Sequence, residues 1–265
     1  MPVETPVLDD LLAETAGLDA LVAELEPAAW GRETPAEGWT IAHQIAHLAW
    51  TDHRALLAVT EPEAFAREFD AAAAHFDTYV DDGARQGAAL PPGELLARWR
   101  EGRDRLSEAL ASQPKGVRFR WFGPPMSTAS MATGRLMETW AHGEDVADTL
   151  GVRREPTARL WHVARIGVRA RDFAFSVHGR PAPAEEFRVE LTAPDGSLWT
   201  FGPDDAAQRV TGTALDFCLL AVRRRHRDDV RLEAHGPDAD AWLSLVQAFA
   251  GPPGDSRKPS RGAAG

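Results

Sequence analysis

A long amphipathic segment from Met126 to Gly151 constrains the fold more than any other stretch of the sequence. Ser127 and Thr128 open the segment, and both residue types favour the N-cap of a helix. Gly151 closes it, and glycine commonly follows the last residue of a helix. At ~3.6 residues per turn, the segment therefore predicts one helix of about six turns.

Two faces of this predicted helix differ in chemistry. Residues three and four positions apart share a face, and one face carries ionisable groups: Arg135, Glu138, His142 and Asp145. The adjoining face is apolar and is typical of a protein core: Leu136, Trp140, Ala147 and Leu150. A carboxylate and an imidazole four residues apart can hold one cation, with zinc–ligand distances of about 2.0–2.2 Å. The same spacing also suits an ordinary surface or capping pair, so a metal site requires a further ligand.

A second histidine-bearing helix is predicted upstream, after an N-cap at Thr40. His43 and His47 share one face of it, but their positions predict different roles. His43 lies in the first turn, where side chains are commonly solvated. His47 lies mid-helix among apolar residues, where an imidazole must find a partner or destabilise the protein. That partner is either a backbone carbonyl in the core or a metal ion, whereas Asp52 and His53 are predicted to be solvated or bonded locally.

His47 together with the Glu138/His142 pair can supply three protein ligands from facing helices. Three ligands leave a coordination position open, which is typical of catalytic rather than structural zinc sites. Imidazole ligands need a further group to orient them, and Arg135 and Asp145 lie one turn from the pair. These ligand types suit zinc, nickel and iron, and zinc is the prediction.

Helical periodicity organises residues 1–151 into a four-helix bundle with one longer connection. A helix is predicted over residues 7–26, a helical stretch over 62–81 with a break at Asp81-Asp82-Gly83, and a helix from Pro91-Pro92 to Pro114. The aromatic, proline-containing connection at 117–125 either walls the mouth of a pocket or fixes the direction in which the next helix begins.

The pattern changes after residue 151. A connecting helix is predicted over residues 157–178, within a connecting region that spans 152–183. Alternating apolar residues, a turn at Pro194-Asp195-Gly196 and later helical periods predict a small α+β domain over residues 184–250, whose last helix includes Phe249. The composition of residues 251–265 predicts a disordered tail.

Composition excludes several classes of function. The net charge of −11 disfavours binding to nucleic acid or to anionic membranes. No apolar stretch suits a transmembrane helix, and the N-terminus lacks the basic start of a secretory signal. The single cysteine, Cys218, excludes an internal disulfide, fits a reducing compartment, and has apolar neighbours that predict a buried, inert thiol. We therefore expect a cytoplasmic protein. A small-molecule substrate is expected, and the oligomeric state, monomer or homodimer, is left open by the sequence.

Several motifs resemble those of a known family. Trp39-Thr40, His47-Leu48, Glu138-x-x-x-His142 and Asp145-Val146 are similar to the metal-binding N-terminal domain of mycothiol-dependent maleylpyruvate isomerases. That domain is a DinB-like four-helix bundle. Residues 195–199, residues 210–216 and the arginines near Arg223 resemble the family's sterol-carrier-like α+β domain. The resemblance covers roughly residues 5–250 and implies an α+β fold with these two domains, over 1–151 and 184–250.

The resemblance also implies a function. His47, Glu138 and His142 match the family's three metal ligands, and Asp145 and Arg135 are then expected to act in catalysis, with Asp145 orienting His142 or acting as a base. The implied cofactors are a divalent metal ion and mycothiol. In an isomerase, the thiol would add to an electrophilic double bond, rotation would follow, and elimination would return the thiol. In a transferase, the adduct would be the product.

Three arginines, Arg165, Arg169 and Arg223, are expected to bind an anionic substrate, although solvated, salt-bridged positions also suit them. Val222-Arg223-Arg224-Arg225 departs from the Gly-Arg pair that is usual in the family. The helix with Arg165 and Arg169 and the Phe-Gly-Pro-Pro-Met run resemble an actinobacterial branch of metal-binding relatives more than the isomerase itself. Two other functions fit the same residues: a metal-dependent hydrolase that uses bound water, and a non-catalytic ligand-binding protein with a metal in its bundle.

Overall fold

The structure is a computed structural model that describes residues 7–72, 76–251 and 257–259. The chain divides into two compact units, residues 1–154 and residues 155–265. Within the described ranges, the first unit is helical apart from a short strand pair, and the second combines helices with a four-stranded sheet. The predicted α+β class is confirmed.

Six helices account for most of the described part of the first unit: α1 (Val7–Val22), α2 (Ile41–Thr60), α3 (Pro62–Ala72), α4 (Phe76–Ala88), α5 (Pro92–Ala111) and α6 (Thr128–Leu150). α2 is central, because it packs against α4, α5 and α6, while α1 packs against α6. The core between them is apolar and includes Leu18, Ile45, Leu48, Leu95 and Trp99. The predicted DinB-like bundle is confirmed, with α3 and α4 forming the longer connection.

Both ends of α6 are fixed by the residues that predicted them. The Ser127 hydroxyl accepts a hydrogen bond from the Ser130 amide at 3.2 Å, which satisfies one of the free donors of the first turn. Gly151 ends the helix with φ of 69°, a left-handed conformation that strains residues with a Cβ. From Met131 to Ala147 nearly every residue of α6 is buried, so its polar side chains must find partners inside the protein.

The predicted helix break at Asp81-Asp82-Gly83 is wrong, because α4 runs through all three residues. Gly83 instead permits close packing. A Cβ at this position would lie 2.4 Å from Trp50 Nε1 on α2, so the missing side chain makes room for the indole.

The aromatic connection ahead of α6 is held against α3. Strands β1 (Arg118–Phe119) and β2 (Met126–Ser127) pair in antiparallel fashion. Between them, the Trp121 ring stacks on Phe65 at 5.8 Å, and Phe122 contacts Phe65 and Phe69, each at 5.5 Å. Because β2 leads directly into α6, these contacts support the interpretation that the connection fixes where the helix begins.

The described part of the second unit contains α7 (Leu160–Arg169), α8 (Arg171–Val177), β3 (Arg188–Thr192), β4 (Leu198–Phe201), β5 (Arg209–Thr213), α9 (Ala214–Ala221), β6 (Leu232–His235) and α10 (Pro237–Leu243). The strand order is β4-β3-β5-β6. β3 is antiparallel to β4 and parallel to β5, with Leu191 opposite both Trp199 and Gly212. Across the described ranges, we find no helix with the length and apolar character needed to cross a membrane.

The second unit departs from the predicted element boundaries in two places. The predicted helix over 157–178 is two helices that meet at Ala170, and they pack on α9 and α10 rather than forming a separate link. The last helix ends at Leu243, short of the predicted Phe249, and the amide of Ala248 bonds instead to the Ala221 carbonyl at the end of α9, at 2.8 Å. Most of the predicted tail, 252–256 and 260–265, lies outside the described residues.

Replacing Gly83 with alanine tests the close packing of α4 on α2. Relieving the 2.4 Å contact between the new Cβ and Trp50 Nε1 should cost about 1–3 kcal/mol. Alanine gains only about 1 kcal/mol over glycine in a helix. We therefore expect a lower Tm and a lower urea midpoint. Gly102→Ala in α5 is the matched control, because no atom lies within 4 Å of its new Cβ. Stabilisation of both variants would contradict the packing role.

Candidate metal centre

The three predicted metal ligands meet between α2 and α6. His47 Nε2 and His142 Nε2 each lie 3.3 Å from the same carboxylate oxygen, Glu138 Oε2. One ligand atom of each residue lies within 4.8 Å of the other two. The two imidazole rings are 4.5 Å apart, centroid to centroid. Two segments about ninety residues apart in the sequence thus contribute to one cluster, as the sequence predicts.

The cluster has the donor types and spacing that suit a divalent ion. Two ligands that are each about 2.1 Å from a tetrahedral zinc ion stand about 3.4 Å apart, close to the two nitrogen–oxygen distances of 3.3 Å. His47 Nδ1 is buried and has no hydrogen-bond partner within the described part of the chain. The imidazoles are buried, whereas 24% of the Glu138 side chain is exposed. A small molecule can therefore approach the cluster from the Glu138 side.

The two imidazoles keep the Glu138 carboxylate ionised, because they lower its pKa. Burial alone would raise the pKa of Glu138, because the neutral acid is favoured away from water. Hydrogen bonds and charge from His142 and His47 outweigh burial and hold the pKa of Glu138 well below its usual value. Glu138 is therefore ionised at neutral pH, as a metal-binding carboxylate must be.

Trp39 covers the two imidazoles. Its indole stacks on His142, with 5.9 Å between ring centroids and 20° between ring planes, and lies 5.4 Å from the His47 ring. The loop that carries it is fixed by an isolated β-bridge between Glu33 and Thr40. In the sequence Trp39 is only part of a motif, and no local pattern predicts its place over the site.

His43 has a different task from His47, as their positions in α2 predict. The backbone amide of Thr40 donates to His43 Nδ1 at 3.3 Å, and the Thr40 hydroxyl lies 2.8 Å from the same nitrogen. His43 thereby completes a capping box at the start of α2. It is a capping residue rather than a solvated side chain, and it is not part of the cluster formed by His47, Glu138 and His142.

Gln44 holds the second imidazole. Its Oε1 forms a hydrogen bond with His142 Nδ1, and its Nε2 donates to Thr34 Oγ1 at 2.8 Å. Asp145 was predicted to orient His142 or to act as a base. Gln44 is instead the residue that bonds to His142 Nδ1, and Asp145 is fully buried one turn further along α6. The available signal was spacing, since Gln44 precedes His47 by three residues and shares its face.

Arg135 is fully engaged in a buried ion pair. Its Nε donates to Asp52 Oδ1 at 2.8 Å, and its Nη2 donates to Thr51 Oγ1 at 2.6 Å. Both partners of the ion pair are buried, with side-chain exposures of 4% and 7%. Asp52 was predicted to be solvated or locally bonded, and that prediction is wrong. Arg135 crosslinks α6 to α2, so direct contact with a substrate, as its predicted catalytic role requires, does not suit it.

The three arginines predicted to bind substrate lie in the second unit in different settings. The Arg165 guanidinium lies 5.4 Å above the Trp161 ring, and Arg169 is exposed. Arg223 is half-buried and its Nη2 lies 3.3 Å from His178 Nε2. Arg223 also lines a cavity of about 230 Å³, together with Arg225, Arg227, Arg257 and Asp228. This second-unit cavity therefore has a strongly basic lining.

Cys218 is not a nucleophile. It is completely buried in α9, and its Sγ faces the Leu160 carbonyl at 3.5 Å. Burial raises the pKa of this thiol well above its usual value, so it stays protonated. The predicted inert thiol is confirmed.

The fold and the cluster define a class of protein: a helical bundle with a His/Glu/His centre, followed by an α+β unit. The family model "Mycothiol maleylpyruvate isomerase N-terminal domain" matches residues 11–147, just over half of the chain. The chain belongs to this family, which confirms the resemblance. A second model, "Wyosine base formation", matches residues 183–235 within the second unit.

Similar proteins extend the match to most of the chain. Two proteins of Mycobacterium tuberculosis, from strains CDC 1551 / Oshkosh and ATCC 25618 / H37Rv and both described as uncharacterized, are 56% identical to it over 252 residues. The match covers 95% of this chain and 98% of each relative. Crystal structures of the mycothiol-dependent maleylpyruvate isomerase and of its histidine-to-alanine mutant share the fold, with a TM-score of 0.58 and 18% identity. The structural match covers 88% of this chain and 94% of each isomerase chain.

Removing one ligand should abolish tight metal binding without unfolding the bundle. We expect His47→Ala and Glu138→Gln to lower Zn²⁺ affinity by about 100-fold or more, since even the loss of an outer hydrogen-bond partner costs 10–100-fold. Metal content by mass spectrometry and chelator competition measure the effect, and circular dichroism monitors folding. His53→Ala on the exposed face of α2 is the control. Equal Zn²⁺ affinity in all variants would exclude the cluster as a metal site.

Arg135→Met should destabilise the first unit by about 3–5 kcal/mol, because it leaves Asp52 charged, buried and unpaired. The double variant Arg135→Met/Asp52→Leu should recover much of this loss, and urea unfolding of the four proteins in the cycle measures the coupling. The exposed ion pair between Arg85 and Asp82 provides the control, and Arg85→Ala should cost less than about 1 kcal/mol. A similar small loss for Arg135→Met would disprove the crosslink.

Proposed function

We propose that this chain is a divalent-metal-dependent enzyme that uses a low-molecular-weight thiol, such as mycothiol, to isomerise or S-conjugate a small, anionic electrophile. The observation that carries the proposal is the meeting of His47, Glu138 and His142, whose ligand atoms lie within 4.8 Å of one another. Membership of the mycothiol maleylpyruvate isomerase family supports the thiol, and the fold is shared with a mycothiol-dependent enzyme.

The ligand set supports catalysis rather than a structural ion. Structural zinc sites use four protein ligands, whereas three leave a position for a reactant. Zinc is the proposed ion, with nickel and iron as alternatives that the same ligands accept. When bound, the ion supplies Lewis acidity that keeps a thiol sulfur deprotonated at neutral pH.

The chain's own residues bind and shield the reacting groups. His47 and His142 present ring nitrogens, and Glu138 contributes the negative charge on the side that is open to solvent. The Trp39 indole covers both imidazoles, so it excludes water from that side and offers an apolar surface to a carbon skeleton. An isomerase returns the thiol unchanged, while a transferase retains it in the product.

Positive charge in the second unit supports an anionic substrate. Four arginines line the 230 Å³ cavity that contains Arg223, and guanidinium groups bind carboxylates through paired hydrogen bonds. We propose Arg223 as the first of these anion ligands. Arg165 and Arg169 remain further candidates in the same unit.

The test is an assay with every component varied separately. The full-length protein loaded with Zn²⁺, Ni²⁺ or Fe²⁺ is incubated with maleylpyruvate and related small electrophilic acids, with and without mycothiol. We expect turnover only when both metal and thiol are present. We also expect a loss of about 100–1000-fold in Glu138→Gln, a magnitude comparable with removing one key electrostatic group from an active site.

The exposed-face variant His53→Ala should keep the wild-type rate and serves as the matched control. Turnover of an ester or amide without thiol would contradict the thiol-dependent reaction and support the hydrolase. Tight binding of the acids with no turnover under any condition would support a ligand-binding protein.

A further inference from the structure

A directed chain of hydrogen bonds runs from the loop that carries Trp39 to the metal-binding cluster. It begins at the backbone carbonyl of Trp39, which can only accept, and the Thr34 hydroxyl donates its single proton there at 2.7 Å. Thr34 Oγ1 must then accept from Gln44, and the Gln44 Nε2 donates at 2.8 Å. The Gln44 amide is therefore fixed with its oxygen facing His142 Nδ1.

This direction determines which nitrogen of His142 carries the proton. Because Gln44 Oε1 can only accept, His142 Nδ1 must be the donor. In the neutral imidazole, Nε2 then holds a free electron pair, and it faces Glu138 Oε2 at 3.3 Å. Two acceptors that face each other at this distance repel unless a cation or a proton lies between them. The loop thus prepares His142 to bind a cation through Nε2.

We propose that Gln44 is a positioning residue that holds His142 in the Nδ1-protonated tautomer and so prepares Nε2 as a metal ligand. Gln44 is completely buried, which means that water does not replace its oxygen. His47 provides a contrast, since its Nδ1 has no partner among the described residues. Gln44 therefore orients the His142 ring, whereas no described residue bonds to Nδ1 of the His47 ring.

The neutral amide also sets the charge of the centre, an inference that rests on the proposed function. Carboxylates commonly orient metal-binding histidines, and one at position 44 would cancel the positive charge left by a divalent ion and Glu138. With glutamine, one positive charge remains at the centre. A cationic centre favours an anionic ligand such as a thiolate over a neutral one.

The experiment compares Gln44→Met, Gln44→Glu and Thr34→Val. Nitrogen NMR of ¹⁵N-histidine-labelled, metal-free protein reports the tautomer, with the His142 signals identified by their absence from His142→Gln. Chelator competition reports Zn²⁺ affinity. We expect Gln44→Met to lose the Nδ1-protonated tautomer and to bind Zn²⁺ about 10–100-fold more weakly. Thr34→Val should give a smaller change in the same direction.

Gln44→Glu keeps an acceptor for His142, so it should retain both the tautomer and Zn²⁺ affinity. The added negative charge should weaken binding of N-acetylcysteine to the Zn²⁺-loaded protein by about tenfold or more. Gln113→Met is the control for the substitution itself, because the Gln113 side chain donates to the Ala109 carbonyl at the end of α5 and has no described contact with the cluster.

Wild-type tautomer and wild-type Zn²⁺ affinity in Gln44→Met would overturn the proposal, whatever the change in Tm. Unchanged binding of N-acetylcysteine in Gln44→Glu would overturn the argument from charge. Absence of thiol-dependent turnover in the wild type would refute the proposed function instead, since the tautomer and the Zn²⁺ affinity are measured without any turnover.

Discussion

Burial of α6 on nearly all sides is the constraint on which the first unit depends. A helix in this position would usually be apolar throughout, because a buried ionisable group without a partner is strongly destabilising. α6 instead places Arg135, His142, Glu144 and Asp145 among its buried residues. Their described partners come from other parts of the chain: Asp52 and Gln44 on α2, and Arg154 for Glu144. The bundle is therefore specified by polar pairing between α2 and α6 as well as by its apolar core.

Sequence analysis could predict those parts of the site that follow from local rules. The limits of α6 came from capping chemistry at Ser127 and Gly151, and the structure has them at the same residues. The three proposed ligands could be selected because helical spacing places Glu138 beside His142, and because His47 needed a partner in an apolar helix. The strands after residue 187 followed from alternation and a turn motif, and they appear as β3 and β4. The capping, spacing and alternation signals each lie within a few residues of one another, whereas the pairing of His47 with Glu138 spans 91 positions of sequence.

The other features of the fold and the site depend on contacts between distant segments of the chain. Asp52 looks like a solvated residue until α6 brings Arg135 to it across 83 positions of sequence. Gln44 has no distinctive motif, and its role appears only when Thr34 and His142 lie on either side of it. Asp81-Asp82-Gly83 has the composition of a helix break, yet α4 continues through all three residues. Glycine suits position 83 because the Trp50 indole occupies the space of a side chain there. In each case packing between elements overrode a valid local preference.

The two polar groups that join α2 and α6 differ in how completely they are satisfied, and this difference assigns them different tasks. Arg135 has both a carboxylate and a hydroxyl as acceptors, so its charge is neutralised inside the protein and serves to hold the helices together. At the cluster, both imidazoles face the same oxygen of the ionised Glu138 carboxylate. Part of the Glu138 side chain is exposed to solvent. A divalent cation bound there would supply positive charge between these groups, and three protein ligands would not complete its coordination. The saturated pair therefore provides rigidity, whereas the cluster one turn away is the candidate position for an external ligand.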